Sequence, residues 1–147
     1  MDERPLAGGT SDATVAVRLM ILPTFDNPVL IRVWLNESPS GAIWQVITKT
    51  NNGRGGYFAG PQTETREAML DSASADHVLE GLGTLAFWFL PTSDKAMGTD
   101  GSQWVLEVIQ GGRYHVVHRW SPENGPFLEF CRVLLHVADV VSYPPSL

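Results

Sequence analysis

The sequence predicts a single α+β domain in which an antiparallel sheet of about five or six strands packs against two main helices. Alternating apolar and polar residues, separated by turn residues, predict three strands between residues 14 and 50. Two further alternating segments flank Gly111-Gly112, which is a strong short-range signal for a β-hairpin. Two other stretches carry apolar residues at helical spacing, and this mixture of elements is typical of an α+β domain.

The first three strands are predicted to form an antiparallel meander. They span residues 14–22, 29–35 and 42–50, and the connections PTFDNP and NESPSG are short and rich in turn-forming residues. Residues 51–60, NNGRGGYFAG, follow as a loop with four glycines. Because this loop lacks the spacing of a phosphate-binding loop, we interpret it as a structural turn and not as a nucleotide site.

The helices are predicted from apolar residues at a period of about 3.6. The first spans about residues 75–85, with Ser72 or Ser74 as its N-cap, although two glycines weaken it. The block FWFLP at residues 87–91 is expected to dock in the core. The second helix runs from residue 126 to about residue 141 and places five residues on one apolar stripe: Phe127, Phe130, Cys131, Leu134 and Ala138.

Length and charge narrow the class of protein. The 147 residues favour one domain, placed at residues 14–141 between a flexible N-terminal arm at residues 1–13 and a C-terminal tail at residues 142–147. The net charge of −6 and the scattered basic residues argue against broad nucleic-acid binding. The same acidity favours a partner with a basic surface, if the partner is a protein.

The N-terminal segment and the single cysteine bear on the cellular compartment. The first residues are polar and lack the apolar core of a signal peptide, and no apolar run is long enough to span a bilayer. Cys131 is the only cysteine, so no internal disulfide can form. We therefore expect a cytoplasmic protein without membrane contact, while export by a specialised machine and the oligomeric state stay open.

The hairpin at residues 98–122 concentrates the polar and aromatic groups of the chain. With a two-residue turn, Ile109 pairs with Tyr114 and Gln103 pairs with Trp120. One face of the hairpin then carries Gln103, Val105, Glu107, Ile109, Tyr114, Val116, His118 and Trp120. The other face carries Trp104, Leu106, Val108, His115, Val117 and Arg119. A slip of one residue in the turn would reassign all of these partners.

Two pairs on this hairpin carry chemistry. Glu107 and His118 are diagonal neighbours on the first face, where they could perform acid–base work or form a solvated ion pair, which is the interpretation we favour. Trp104 lies opposite Arg119 on the second face, where stacking of the guanidinium on the indole is expected. That contact could serve binding, but we favour a structural role for it.

Metal binding and nucleophilic catalysis find no support in the spacing of residues. His115 and His118 are three apart on a strand and point to opposite faces, which opposes a shared metal ion. Asp100 precedes a glycine and is interpreted as a turn residue. Cys131 falls on the apolar stripe of the last helix, where a buried thiol is expected. We therefore predict no catalytic residue, no metal and no cofactor.

Three motifs give the chain a resemblance to known sequences. FWFLP at residues 87–91, GTDGSQWVLE at residues 98–107 and YHVVHRWSP at residues 114–122 precede an apolar helix. Together they resemble a family of small bacterial proteins with the motifs FW-x-L-P, DG-x-x-W-x-x-E and YH-x-x-x-R-x-x-P, over most of residues 15–140. No activity is established for that family, so the resemblance implies an architecture and no mechanism. It draws attention to Trp88, Asp100, Trp104, Glu107, Tyr114, His115 and Arg119.

Two functional hypotheses follow. The first is a non-enzymatic bacterial binding protein, similar to immunity or inhibitor proteins, that masks a protein partner. Its candidate binding residues are Trp88, Asp100, Trp104, Glu107, Tyr114, His115, His118 and Arg119. The alternative is a small-molecule enzyme or sensor, in which Glu, His and Arg groups of the hairpin line a pocket of roughly several hundred cubic ångströms. A simple oligomer contact through the FWFLP block and the hairpin is a third possibility, and binding is the hypothesis we prefer.

Overall fold

A computed structural model describes residues 3, 6–7, 14–53 and 58–140 of the chain. Within these ranges a short 3₁₀ helix, Phe87–Phe89, accompanies six strands and two α-helices. The elements follow in the order β1 (Val15–Pro23), β2 (Val29–Ser38), β3 (Gly41–Asn51), β4 (Gln62–Met69), α1 (Ser72–Leu85), β5 (Ser102–Gln110), β6 (Arg113–Trp120) and α2 (Pro126–Val137).

The six strands form one antiparallel sheet in the order β4-β3-β2-β1-β5-β6. β1 lies near the middle, with β2, β3 and β4 on one side and the hairpin of β5 and β6 on the other. β4 and β6 are therefore the two edge strands. The predicted α+β class, with an antiparallel sheet and two main helices, is confirmed.

The two faces of the sheet differ because side chains alternate along each strand. The helix-covered face packs against α1 and α2 and supplies the core from Val17, Leu19, Ile31, Val33, Leu106, Val108 and Val117. The second face carries Arg18, Arg32, Glu107, Tyr114 and His118. All five residues of the predicted α2 stripe are buried in the core, so that prediction is confirmed.

The ends of the two helices differ from those predicted from the spacing of apolar residues. α1 starts at Ser72 with Asp71 as its N-cap, whose carboxylate accepts a hydrogen bond of 2.7 Å from the backbone N–H of Ser74. The prediction of Ser72 or Ser74 as the cap was therefore wrong. α1 ends in a left-handed cap at Ala86, and α2 ends at Val137, short of the predicted end.

Gly83→Ala is expected to raise the free energy of unfolding, whereas Gly81→Ala is expected to lower it. A Cβ at position 83 would meet nothing within 4 Å, so alanine adds only helix propensity there, up to about 1 kcal/mol. A Cβ at position 81 would lie 2.6 Å from Cδ2 of the buried Phe130 ring on α2. Overpacking of this kind costs about 1–3 kcal/mol. Urea denaturation of both variants measures the difference, and equal stabilities would contradict a tight crossing of the two helices at Gly81.

The strand that the pattern did not reveal is β4, QTETREAM. All eight of its residues are exposed, so it lacks the alternation of apolar and polar side chains that marks a half-buried strand. It forms because its backbone pairs with β3 in a register that includes Val46↔Ala68 and Thr48↔Arg66. Long-range pairing of the main chain, not burial of side chains, defines this element.

Parts of the chain outside the sheet and helices are described only in places. Glu3 of the predicted arm forms ion pairs with Arg32 and with Lys49, the latter at 2.8 Å, and Leu6 is buried. The flexibility of the arm stays a prediction, and the predicted tail lies outside the described residues. Among the described helices, none is long and apolar enough to cross a membrane.

Candidate functional site

The hairpin forms with the predicted register. Ile109 pairs with Tyr114 and Trp104 pairs with Arg119 across a two-residue turn. Gly111 and Gly112 adopt φ values of 56° and 76°, the left-handed conformation that a type I′ turn requires at both central positions. The predicted division of the hairpin residues between two faces is therefore confirmed.

Glu107 is held by an arginine from the neighbouring strand. β1 pairs with β5 so that Arg18 lies opposite Glu107, and the guanidinium Nε donates to Oε2 at 2.7 Å. A second guanidinium nitrogen of Arg18 contacts the same oxygen. The Tyr114 hydroxyl donates to the other carboxylate oxygen, Oε1, at 2.7 Å. Both charged residues are only 6% exposed, so this is a buried ion pair with a tyrosine attached.

The proton of the Tyr114 hydroxyl is held by this arrangement. Burial of the ring and the hydrogen bond to Glu107 raise the pKa of Tyr114 to about 12. The phenol is therefore a hydrogen-bond donor near neutral pH and not a base. Because the pKa in the folded state lies above the ordinary tyrosine value of 10.0, the stability gained from the protonated Tyr114 hydroxyl is complete below that pH. It is lost as the pH rises through about 12.

His118 lies on the same face but does not join this network. The expected ion pair between Glu107 and His118 is wrong, because Arg18 occupies the carboxylate instead. The backbone N–H of His118 donates to the carbonyl of Thr92 at 2.6 Å. Its ring nitrogen Nε2 is buried and has no hydrogen-bond partner among the described residues.

Trp104 and Arg119 are neighbours in the ladder but do not stack. Trp104 is 1% exposed, packs in the core, and donates from Nε1 to the Ser102 hydroxyl at 2.7 Å. The guanidinium of Arg119 lies over the Phe127 ring, 5.6 Å from its centroid. It also donates to the carbonyl of His118 at 2.7 Å. The expected stacking on Trp104 is wrong, and Trp104 itself cannot contact a partner from the core.

A short segment covers the outer edge of β6. The Leu90 carbonyl accepts from Nε2 of His115 at 2.8 Å, the Pro91 carbonyl accepts from Arg119 at 3.1 Å, and the Thr92 carbonyl accepts from the backbone of His118. We call residues 90–94 the edge segment. Its carbonyls therefore accept hydrogen bonds from His115, His118 and Arg119, three of the predicted binding residues.

The FWFLP block divides between the core and the solvent. Phe87 is fully buried, with the His115 ring edge-on against it at 5.2 Å between centroids. Trp88 is half-buried, and the Arg113 guanidinium lies 4.5 Å from its ring centroid. Phe89, by contrast, is 89% exposed. The expectation that the whole block docks in the core is therefore wrong.

Exposed apolar side chains flank the edge segment on both sides. Phe89 precedes it, and Met97, which is 91% exposed, follows it. Every residue from 91 to 100 is exposed, including Asp100. Sequence reasoning missed Phe89 and Met97, because a hydrophobic side chain in a short block gives no signal of which way it faces.

One described cavity reaches the candidate residues in part. It has a volume of about 390 Å³ and lies where the end of β6 meets the start of α2, lined by Arg119, Trp120 and Asp94 among others. Glu107, Tyr114 and the two histidines of the hairpin do not line it. The cavity therefore gathers one cation, Arg119, and the carboxylates of Asp94 and Glu123, but none of the groups suggested for proton transfer.

Cys131 and metal chemistry add nothing to the site. The Cys131 thiol is fully buried, and burial raises its pKa, so it stays protonated and unreactive. In the part of the chain that the structure describes, no group of three or more His, Cys, Asp or Glu residues could hold a metal ion.

Comparisons of the chain with protein-family models, curated proteins and solved structures gave no significant match.

Proposed function

We propose that this protein is a non-enzymatic bacterial binding protein that masks a protein partner, as immunity and inhibitor proteins do. The contact surface that we assign to it lies beside the edge segment and comprises Trp88, Phe89, Met97, Asp100 and Arg113. We call this the edge surface. The observation that carries the proposal is the nearly complete exposure of Phe89 and Met97 on either side of the edge segment.

The composition of the edge surface is that of a protein-binding surface. Aromatic residues, methionine and arginine are enriched at the centres of protein interfaces, where a few of them provide most of the binding energy. Phe89 offers a ring that a pocket on a partner can enclose, and the stacking of Arg113 on Trp88 presents a second aromatic group beside it. Asp100 and the net charge of −6 favour a partner with a basic surface.

The engagement of the polar hairpin groups supports binding over catalysis. Glu107 is neutralised by Arg18 and accepts from Tyr114, so it has no free role as a base. His115 donates to a backbone carbonyl, which requires its proton on Nε2. The alternative, a small-molecule enzyme or sensor, keeps one supporting observation, which is the cavity of about 390 Å³ beside Arg119.

The test replaces Phe89 with a photo-crosslinking phenylalanine analogue in the cells that encode the chain. We expect one discrete adduct from position 89. Position 58 is the matched control, because Phe58 is also exposed but lies near the opposite edge strand. Adducts between two copies of this chain are recognised by their mass. Identical adducts with another protein at both positions would contradict a specific edge surface.

Purified partner from that adduct then allows a quantitative test. Phe89→Ala should weaken its affinity at least about tenfold, which is the loss of a residue worth about 1.4 kcal/mol or more. Phe58→Ala should leave the affinity unchanged. Unchanged affinity for Phe89→Ala, measured by calorimetry, would remove the edge surface from the interface.

A further inference from the structure

The two edge strands of the sheet, β6 and β4, differ in whether other residues bond to their outer sides. At β6 the Thr92 carbonyl of the edge segment accepts from the outward backbone N–H of His118, and the Leu90 and Pro91 carbonyls accept from the side chains of His115 and Arg119. β4, at the other edge, pairs only with β3, and all of its residues are exposed. No described residue bonds to its outer side. An uncovered edge strand offers a row of hydrogen-bonding groups to another strand.

The register with β3 shows which groups of β4 face outward. The backbone N–H of Leu70 donates to the Trp44 carbonyl at 2.9 Å, one position beyond the end of β4. Since hydrogen-bonded positions alternate in an antiparallel ladder, Arg66 directs its backbone groups toward β3. Thr65 and Glu67 then direct their N–H and C=O groups away from the sheet.

We propose that β4 pairs antiparallel with β4 of a second copy of this chain, with Thr65 on the two-fold axis. The outward N–H and C=O of Thr65 then bond reciprocally to Thr65 of the second copy. Within one chain Arg66 Nε already lies 3.2 Å from Glu64 Oε1. In the proposed register Glu64 also lies opposite Arg66 of the second copy, and Arg66 lies opposite its Glu64. Both pairs occupy non-hydrogen-bonded positions, where facing side chains are closest.

The charges on β4 select this register over its neighbours. Centring the pair on Glu64, Arg66 or Glu67 would place two identical charges directly opposite each other, which is destabilising. Only the centre at Thr65 avoids this and forms two ion pairs of opposite charge. Charges on an edge strand usually prevent association, but this arrangement is complementary to itself.

Apolar exposure near β4 adds to the pairing surface. Met69 is 73% exposed and projects from the same face as Thr65. In the proposed register it extends past the ion pairs toward the start of β4 in the second copy. The interface leaves the edge surface of each copy at the far end of the joined sheet, so it does not depend on the proposed function.

The experiment measures association of the full chain by sedimentation equilibrium from micromolar to millimolar concentration. The wild type should show a monomer–dimer equilibrium. Glu64→Arg and Arg66→Glu should each weaken the dimer at least about tenfold, because both cross-strand pairs become like-charged. Glu80→Arg, on the exposed side of α1, makes the same change of net charge as Glu64→Arg and should leave the dimer unchanged.

Two restoring measurements identify the register. An equimolar mixture of Glu64→Arg and Arg66→Glu should associate again, because each introduced charge then faces its opposite. The double variant Glu64→Arg with Arg66→Glu should regain the affinity of the wild type. A wild type that stays monomeric throughout would overturn the proposal. So would single variants that associate normally, or a mixture and a double variant that both fail to associate although circular dichroism shows them folded.

Discussion

Arg18→Met is expected to lower the free energy of unfolding by about 3–5 kcal/mol, the usual cost of breaking a buried ion pair. The variant leaves the Glu107 carboxylate in a site that is only 6% exposed, with the Tyr114 hydroxyl as its remaining partner among the described residues. One hydrogen bond does not replace the hydration that a buried carboxylate loses. Urea denaturation followed by circular dichroism measures the change.

A double variant separates the cost of an unpaired charge from the value of the pair. Arg18→Met combined with Glu107→Leu removes both charges and fills the same volume with apolar atoms. We expect it to recover most of the lost stability, because such replacements are often neutral or stabilising. Tyr114 is partly exposed, so its hydroxyl can bond to water instead. A single variant within about 1 kcal/mol of the wild type would show that the pair is not needed.

Trp104→Ala is expected to cost about 3–5 kcal/mol, the range for removing a large aromatic side chain from a core. The indole is 1% exposed and packs in the core cluster, so its removal leaves a cavity there. The same experiment tests the reassignment of Trp104 from a binding residue to a core residue.

Trp88→Ala is the matched control for this prediction. Trp88 is half-buried beside Phe87, so its loss should cost less stability than that of Trp104. It belongs to the proposed edge surface, so under that proposal the same change should weaken binding of a partner. If Trp88→Ala destabilised the fold as much as Trp104→Ala, the assignment of Trp88 to a binding surface would be contradicted.

The two proposed surfaces have separate consequences for the molecule. Self-association through β4 would leave two edge surfaces, one on each β6, and a dimer could then hold two partner molecules. Loss of self-association by Arg66→Glu should not change the affinity of a single edge surface. Failure of either proposal therefore leaves the other intact.

Much of the fold could be predicted from local patterns. The Gly111-Gly112 turn determines the register of β5 and β6, because its backbone conformation matches the twist of the flanking strands. The apolar stripe of α2 was equally clear, since five residues at helical spacing leave one face for the core. β4 was not predicted because a fully exposed edge strand lacks the alternating apolar residues from which a strand is recognised.

The candidate site was less predictable than the fold. The pattern placed Glu107 beside His118, but its partner Arg18 comes from β1, far away in the chain. Pairing within a hairpin can be derived from one turn, whereas pairing between β1 and β5 depends on the order of strands in the sheet. The same order brings the edge segment onto β6 and engages His115.

The sequence by itself therefore determined the class of the fold, the hairpin and the division of its residues between two faces, because turn chemistry and periodicity act over a few residues. Only the tertiary structure decided which face the helices cover, which carboxylate meets which cation, and which sheet edge stays open. Those outcomes depend on contacts between distant segments. Phe89 illustrates this. Its side chain is exposed because of the path that the backbone takes between α1 and the edge segment, although the residue itself is hydrophobic.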